Sequence, residues 1–584
     1  MINRNWIVTV LAGLVMSVSA SAATYYVAQE DAKAADTNAG TAEAPFKTIA
    51  PAMKALKSGD TVWIKKGTYR EEIVLSKEGG EGHSALGAGK NYLLKTTVAA
   101  FPGDEVRLKG SDLLTKWTQH KDNVYVTVEA FNPGLFTLLF CDGKRMQLIG
   151  DGGGNLAESL KGWGGSPEVW KGKKEGKLED LKAGQYFYDR ATKNLYAWLP
   201  DGSDPSKHTM EVAVRGGISI NTDFAHVSGI KVFHAGIGVG GSYNILEDCD
   251  AIDGPWMGLG VGGKYNTFLH CRFNWHGDAG ISGGGEGHRF IGCETSHNNY
   301  LLIDAGWHSG GVKLISTLRN IVFDGHLASY NFASPGIWFD WCNSQICVQN
   351  CVSHHNGTDG IMYEVSSRGT FVNNVCYENG GRGIYLSNSA DCLVYNNMLW
   401  HNGMSGVTCI GVDRGGGDWG EGAKQRLPAK NNVVWGNVFV DNCHPDFCPK
   451  DKDGRDMGWD TRPELIMPEE DPVNTGNVAD YNIYFRSPNR VMPFWKGWHL
   501  KGGIWDNLAA WQKATGFDEH SIIAEPLFVD AAKHDFRPVK GSPVIDFVAP
   551  RMAGAYDVTG NRRPEDKKPI RFTAGPFEYQ PDKK

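Results

Sequence analysis

A glycine followed by an apolar residue returns at near-constant spacing through the middle of the chain. It occurs at Gly236, Gly258, Gly280, Gly311, Gly336, Gly360, Gly383 and Gly406, at intervals of 22, 22, 31, 25, 24, 23 and 23 residues. Asn-rich turns lie between, as at Asn298-Asn299, Asn373-Asn374 and Asn396-Asn397. Asn tolerates left-handed turns, and stacked Asn side chains can hydrogen-bond in ladders. No helical period survives in this region. Short strands stacked one coil per repeat, a parallel β-solenoid, satisfy the pattern. Glycine, 74 of 584 residues, is well above the usual ~7%, and repeated turns account for its spread better than disorder does. The interval of 31 implies an extra loop around Asn298 to His308.

Two consecutive repeats carry the chemistry. Gly336-Ile337-Trp338-Phe339-Asp340 aligns with Gly360-Ile361-Met362-Tyr363-Glu364 at an offset of 24 residues. Strand alternation turns Ile337, Phe339, Ile361 and Tyr363 inward and Trp338, Asp340, Met362 and Glu364 outward. The register gives one outward column of Lys313, Trp338, Met362 and Tyr385, and a second of Ile315, Asp340, Glu364 and Ser387. Coils lie about 4.8 Å apart, so the two carboxyl groups fall about 5 Å from each other. That matches the roughly 5–5.5 Å of a retaining glycosidase, not the wider gap of an inverting one. So close a pair holds one proton above its ordinary range, giving one attacking group and one proton donor. A single outward carboxylate is ordinarily a solvated surface group; two in equivalent positions, beside Trp, Lys and His, point to function. Trp338 offers an apolar platform for a sugar face, with Trp341 just beyond. Lys313 can bond a hydroxyl or keep the nucleophile ionised. His355 lies in the turn before Glu364, Arg368 just after it, and Tyr385 one coil further on. Ser387 has no His in register and is no nucleophile. His308, His326 and His401 read as turn or ladder residues.

The remaining chain frames this array. Residues 1–22 read as a signal peptide: Arg4, an apolar run from Trp6 to Val18, and an Ala20-Ser21-Ala22 cleavage site. The mature protein is expected to be exported, periplasmic or secreted. No later stretch reaches the roughly 20 apolar residues of a membrane span. Residues 23–133 hold an N-terminal cap and the first coils, including a short capping helix between Pro45 and Gly59. Residues 134–212 break the repeat as an inserted β module, with Trp163 and Trp170 in Gly-rich loops. Residues 213–410 form the central array. Residues 411–520 contain a polar excursion (Asp413, Arg414, Trp419) and a short helix ended by Gly516, and 521–584 close the fold.

Net charge is −7 with no basic run, which speaks against a nucleic-acid partner. Of twelve cysteines, Cys249, Cys271 and Cys293 repeat at 22 and 22 and read as a buried ladder. Cys443 and Cys448, in a Pro-containing loop, are the best disulfide candidate. No metal site is assigned, since the spacing there fits no zinc template.

The opening YYVAQEDAKAADTNAGTAEAPFKTIAPAMKALKSGDTVWIKKGTYRE, the coils and the closing PLFVDAAKHDFRPVKGSPVIDF together resemble right-handed parallel β-helix enzymes of the pectate-lyase-like superfamily. GIWFDW followed by MYE, with a β module inserted before the main array, resembles glycoside hydrolase family 120, the β-xylosidase type. The resemblance implies Asp340 as nucleophile, Glu364 as acid/base, and a poly- or oligosaccharide substrate. Ser309 stands where the Trp307–Lys313 motif is often acidic in such proteins. Two rivals remain open. A polysaccharide lyase would use Lys313 or Arg368 as base on a uronic acid, with calcium or a cationic side chain neutralising the substrate carboxylate; no local ligand pattern places calcium. A non-catalytic carbohydrate-binding solenoid would bind sugar with either carboxylate removed.

Overall fold

A computed structural model describes residues 22–78, 84–86, 95–129, 131, 137–150, 174–304, 306, 308–315, 318–341, 344–411, 428–448, 463–469, 474–487, 492–497, 503–549, 556–563 and 571–580. The signal segment, the Trp163 and Trp170 loops, and Asp413, Arg414 and Trp419 lie outside these residues. The chain winds as a right-handed parallel β-helix, as the repeat predicts. Each coil gives one strand to each of three long sheets, two of 13 strands and one of 14. A coil visits the first sheet (as at Cys347–Gln349), the second (Val352–His354) and the third (Ile361–Glu364) before rising to the next. Among the described residues no helix is long and apolar enough to cross a membrane.

The glycine frame has a steric cause. A side chain on Gly336 would meet the Gly360 carbonyl oxygen at 2.8 Å, and one on Gly360 would meet that of Gly383 at 2.7 Å. Coils can therefore approach to hydrogen-bonding distance only if the corner ahead of the third sheet lacks a Cβ. Inside, Ile281, Val312, Ile337, Ile361 and Ile384 stack as one buried column. Phe268, Phe290 and Phe323 stack as another, with ring centroids 4.7 and 4.3 Å apart. Cys249, Cys271 and Cys293 are buried small side chains in register, as predicted.

The Asn turns form ladders. At the corner between the second and third sheets, Asn331 donates to Asn356, Asn356 to Asn379, Asn379 to Asn402 and Asn402 to Asn442, at 2.8–2.9 Å. At the first corner Asn374, Asn397, Asn437 and Asn482 repeat the pattern. Their preceding neighbours Asn373 and Asn396 have φ of 56° and 50°, the left-handed geometry that Asn tolerates. Each ladder ends on a buried carboxylate: Glu464, paired with Arg486, receives Asn442, and Asp518 receives Asn482.

The ends are closed by helices. Helix α1 (Ile49–Ala55) buries Ile49, Ala52 and Met53 over the first coil. Helix α2 (Leu508–Thr515), capped by Asn507 and ended by Gly516 at φ 71°, buries Trp511 at the other end. The inserted module begins earlier than the break at 134 suggests. Strands Ser111–Leu113, Thr118–Lys121 and Val124–Thr127 already belong to its two small sheets, which end with Met210–Ala213. Their antiparallel pairing separates them from the solenoid. The module leaves the second sheet after Lys109 and returns to the third at Ile218. It therefore packs on the corner loops, with Leu138 and Phe140 against Trp256 and Ile303. No disulfide joins Cys443 to Cys448: the Cys443 thiol donates instead to the Pro463 carbonyl oxygen at 3.4 Å.

Replacing Asn379, which accepts from Asn356 and donates to Asn402 and the Ser353 carbonyl, leaves buried partners unsatisfied. Asn379→Ala should cost about 2–4 kcal/mol, read as a lowered denaturant midpoint by circular dichroism. An unchanged midpoint would mean the ladder contributes no net stability.

Candidate active site

Four neighbouring strands of the third sheet carry the site: Val312–Ile315, Ile337–Asp340, Ile361–Glu364 and Ile384–Ser387. Their register pairs Lys313 with Trp338, Met362 and Tyr385, and Ile315 with Asp340, Glu364 and Ser387. These are the two columns drawn from the repeat. The inward residues Phe339 and Tyr363 are fully buried. Asp340 and Glu364 sit side by side on hydrogen-bonded strands, with Cα atoms about 4.8 Å apart. Each is followed by a residue forced to positive φ, Trp341 at 60° and Val365 at 49°. A β-branched residue there is a genuine outlier, held by the corner geometry.

Each carboxylate is held by a donor from the preceding coil. The Lys313 ammonium donates to Asp340 Oδ2 at 2.8 Å, and the Trp338 indole N–H donates to Glu364 Oε2 at 3.2 Å. Lys313 Nζ also lies over the Trp338 ring, 2.8 Å from its centroid. Trp338 is only 3% exposed, so it is not the open sugar platform that strand alternation suggests. It is packed beneath Lys313 and acts as a hydrogen-bond donor to Glu364. Lys313 is equally buried, and burial lowers its pKa from 10.5 to about 8. Asp340, then Glu364 and Asp278, oppose that shift.

The other sequence candidates divide. Trp341 follows Asp340 directly, and its backbone N–H donates to the Glu364 carbonyl at 3.2 Å. Tyr385 is one coil beyond Met362, with the Arg382 guanidinium 4.0 Å from its ring; Arg382 in turn pairs with Asp359 at 3.3 Å. Arg368 is exposed and donates to Ser344 across the far corner. His355 pairs with Glu378 at 3.0 Å and stacks on Tyr330, at the end of the second sheet. The structure thus joins Lys313, Trp338, Asp340 and Glu364 through direct contacts, and gives His355 and Arg368 separate partners.

Two features escaped the sequence. Asp278 is fully buried, and its Oδ2 lies 2.9 Å from His308 Nδ1. It is the third carboxylate whose charge Lys313 feels. Asp278, Ser309, Ser334 and Thr358 each stand three residues ahead of a third-sheet strand, on four consecutive coils. All four carry a buried side-chain oxygen without a hydrogen-bond partner among the described residues, so a polar seam runs along the corner ahead of the strands that carry the carboxylate pair. A polar residue at a fixed offset before successive strands was the available signal.

Comparison with known proteins agrees with this architecture. A model described as a right handed beta helix region matches residues 217–399 and 330–444, and one for a protein of unknown function (DUF1565) matches residues 32–75. The uncharacterized protein YwoF of Bacillus subtilis is 30% identical over 79 residues, which is 14% of this chain and only 16% of that protein. Among solved structures, the complex of XylC with xylose superposes with a TM-score of 0.58 at 14% identity, covering 96% of this chain and 98% of the other. The A-module of Azotobacter vinelandii mannuronan C-5 epimerase AlgE6 gives 0.45 at 9% identity over 82% and 94%. Pectate lyase Pel9A gives 0.38 at 14% identity over 96% and 97%. At these identities the likeness to XylC is one of fold.

The Lys313 amine provides a test independent of any reaction. After reductive methylation, its NMR signal should titrate with a midpoint near pH 8. Asp340→Asn removes the nearest charge that favours the ammonium, so the midpoint should move lower. A midpoint near 10 in the unmodified sequence, or an upward move in the variant, would contradict the buried pair.

Proposed function

We propose that the protein is an exported glycoside hydrolase that cleaves a xylose-containing oligo- or polysaccharide with retention of configuration. The observation that carries this reading is the register pairing of Asp340 with Glu364 on adjacent strands, each carboxylate held by a donor from the coil before. The sequence resemblance to family 120 and the fold likeness to XylC, solved with xylose, support the choice of sugar.

In the first half-reaction an Asp340 oxygen attacks the anomeric carbon. The bond from that carbon to the leaving oxygen breaks, and Glu364 gives its proton to that oxygen. In the second, the Glu364 carboxylate takes a proton from water, the resulting hydroxide attacks the anomeric carbon, and the Asp340 ester bond breaks. Two inversions give net retention. Lys313, charged below about pH 8, donates to Asp340 Oδ2 and aims that carboxylate for attack. The Trp338 N–H accepts no proton and serves to fix the Glu364 oxygen against which the leaving group must lie. Both carboxylates stay on rigid strands while the charge moves, so little reorganisation accompanies the transition state.

Products from neutral and uronate-containing glycans should show new reducing ends without ultraviolet absorbance. Glu364→Gln should lose at least 100-fold in rate on substrates with poor leaving groups. An unsaturated, ultraviolet-absorbing product, or full activity in Glu364→Gln, would replace this mechanism with β-elimination.

A further inference from the structure

A cluster on the inserted module, away from the third-sheet strands that carry the paired carboxylates, has the composition of a metal site. Strand Leu139–Cys141 ends in the tight turn Asp142-Gly143, with φ of 49° and 74°, and pairs with Met210–Ala213 so that Cys141 faces Met210. His208 follows the 3-10 turn Pro205–Lys207. These elements bring a Cys141 sulfur, an Asp142 carboxylate oxygen and a His208 ring nitrogen within 4.8 Å of one another. Tetrahedral zinc holds such donors about 3.3–3.6 Å apart, so the ring nitrogen and the Asp142 oxygen, 2.7 Å apart without the ion, part slightly as the sulfur closes in.

The groups around the cluster hold its ligands in place. The Ser203 hydroxyl is 2.6 Å from Asp201 Oδ1 and 2.7 Å from His208 Nε2. It has one hydrogen and the carboxylate has none, so the hydroxyl donates to Asp201 and accepts the His208 Nε2–H. The other ring nitrogen, Nδ1, is 2.7 Å from Asp142 Oδ2. The neighbouring Cys141 sulfur lies within 4.8 Å of both and offers a third, soft ligand. The surroundings are those of a ligand shell: Asp142 Oδ1 is fixed by the Thr209 N–H at 2.9 Å, and the His208 ring is oriented through its far nitrogen by Ser203.

We propose that Cys141, Asp142 and His208 bind a zinc-type divalent ion, with the fourth position open to water. Sulfur and imidazole in the set exclude a preference for calcium or magnesium. Such an ion would clamp the Cys141–Lys144 hairpin to the 201–208 loop, independently of whether the solenoid is a hydrolase.

The test is zinc titration of the reduced full-length protein by calorimetry, with cobalt as a spectroscopic substitute. One zinc per chain should bind, with a thiolate-to-cobalt charge-transfer band in the near ultraviolet. Cys141→Ser, which preserves size and strand position, should abolish the band and weaken zinc binding at least tenfold, as should His208→Ala. No stoichiometric uptake, or uptake and band unchanged in Cys141→Ser, would overturn the proposal and leave His208 a hydrogen-bonded partner of Asp142.

Discussion

Everything in this structure depends on parallel coils stacking in register at the spacing of a β-ladder. Glycine ahead of the third-sheet strands of the central coils permits that approach, because a Cβ at Gly258, Gly280, Gly311, Gly336, Gly360 or Gly383 would strike the carbonyl of the next coil. The Asn ladders fix the register, since each amide must meet its counterpart one coil away. Once the register is fixed, an outward Asp on one coil and an outward Glu on the next cannot avoid one another. The carboxyl pair is thus a consequence of the repeat, with no loop needed to assemble it. It shares the rigidity of a sheet whose strands are hydrogen-bonded on both sides.

The same stacking sets the electrostatics. Lys313, one coil before Asp340 in the neighbouring column, reaches diagonally to its carboxylate, and Trp338 reaches diagonally to Glu364. Burial of the lysine lowers its hold on a proton, and the surrounding carboxylates return part of it. The cation is consequently present at neutral pH and lost on moderate alkalinisation. The module and the corner loops lie on the side of the array where Asp278, His308 and the buried hydroxyls run.

What could be read in the sequence was whatever follows from periodicity. The solenoid, the two outward columns, the Cys249–Cys271–Cys293 ladder, the core positions of Phe339 and Tyr363, and the Gly516 helix stop all rest on local spacing. What could not be read depends on what covers a face. Trp338 points outward as alternation requires, yet Lys313 lies on its ring, and no pattern in the strand reports that. The module's first strands are short, and their antiparallel pairing is what sets them apart from the coils. Cys443 and Cys448 are close in sequence, but the Pro463 carbonyl takes the Cys443 thiol. The Cys141, Asp142, Ser203 and His208 cluster joins residues more than 60 positions apart, beyond any motif.

In the proposed mechanism Asp340 forms a covalent bond to the anomeric carbon. Incubation with a 2-deoxy-2-fluoro-β-xyloside carrying a good leaving group, followed by proteolysis and mass spectrometry, tests it directly. One fluoroglycosyl label per chain is expected on Asp340, within the peptide that begins near Gly336, with slow release of the sugar in retained configuration. Turnover to an inverted product without a labelled intermediate, or a label on Glu364, would contradict it.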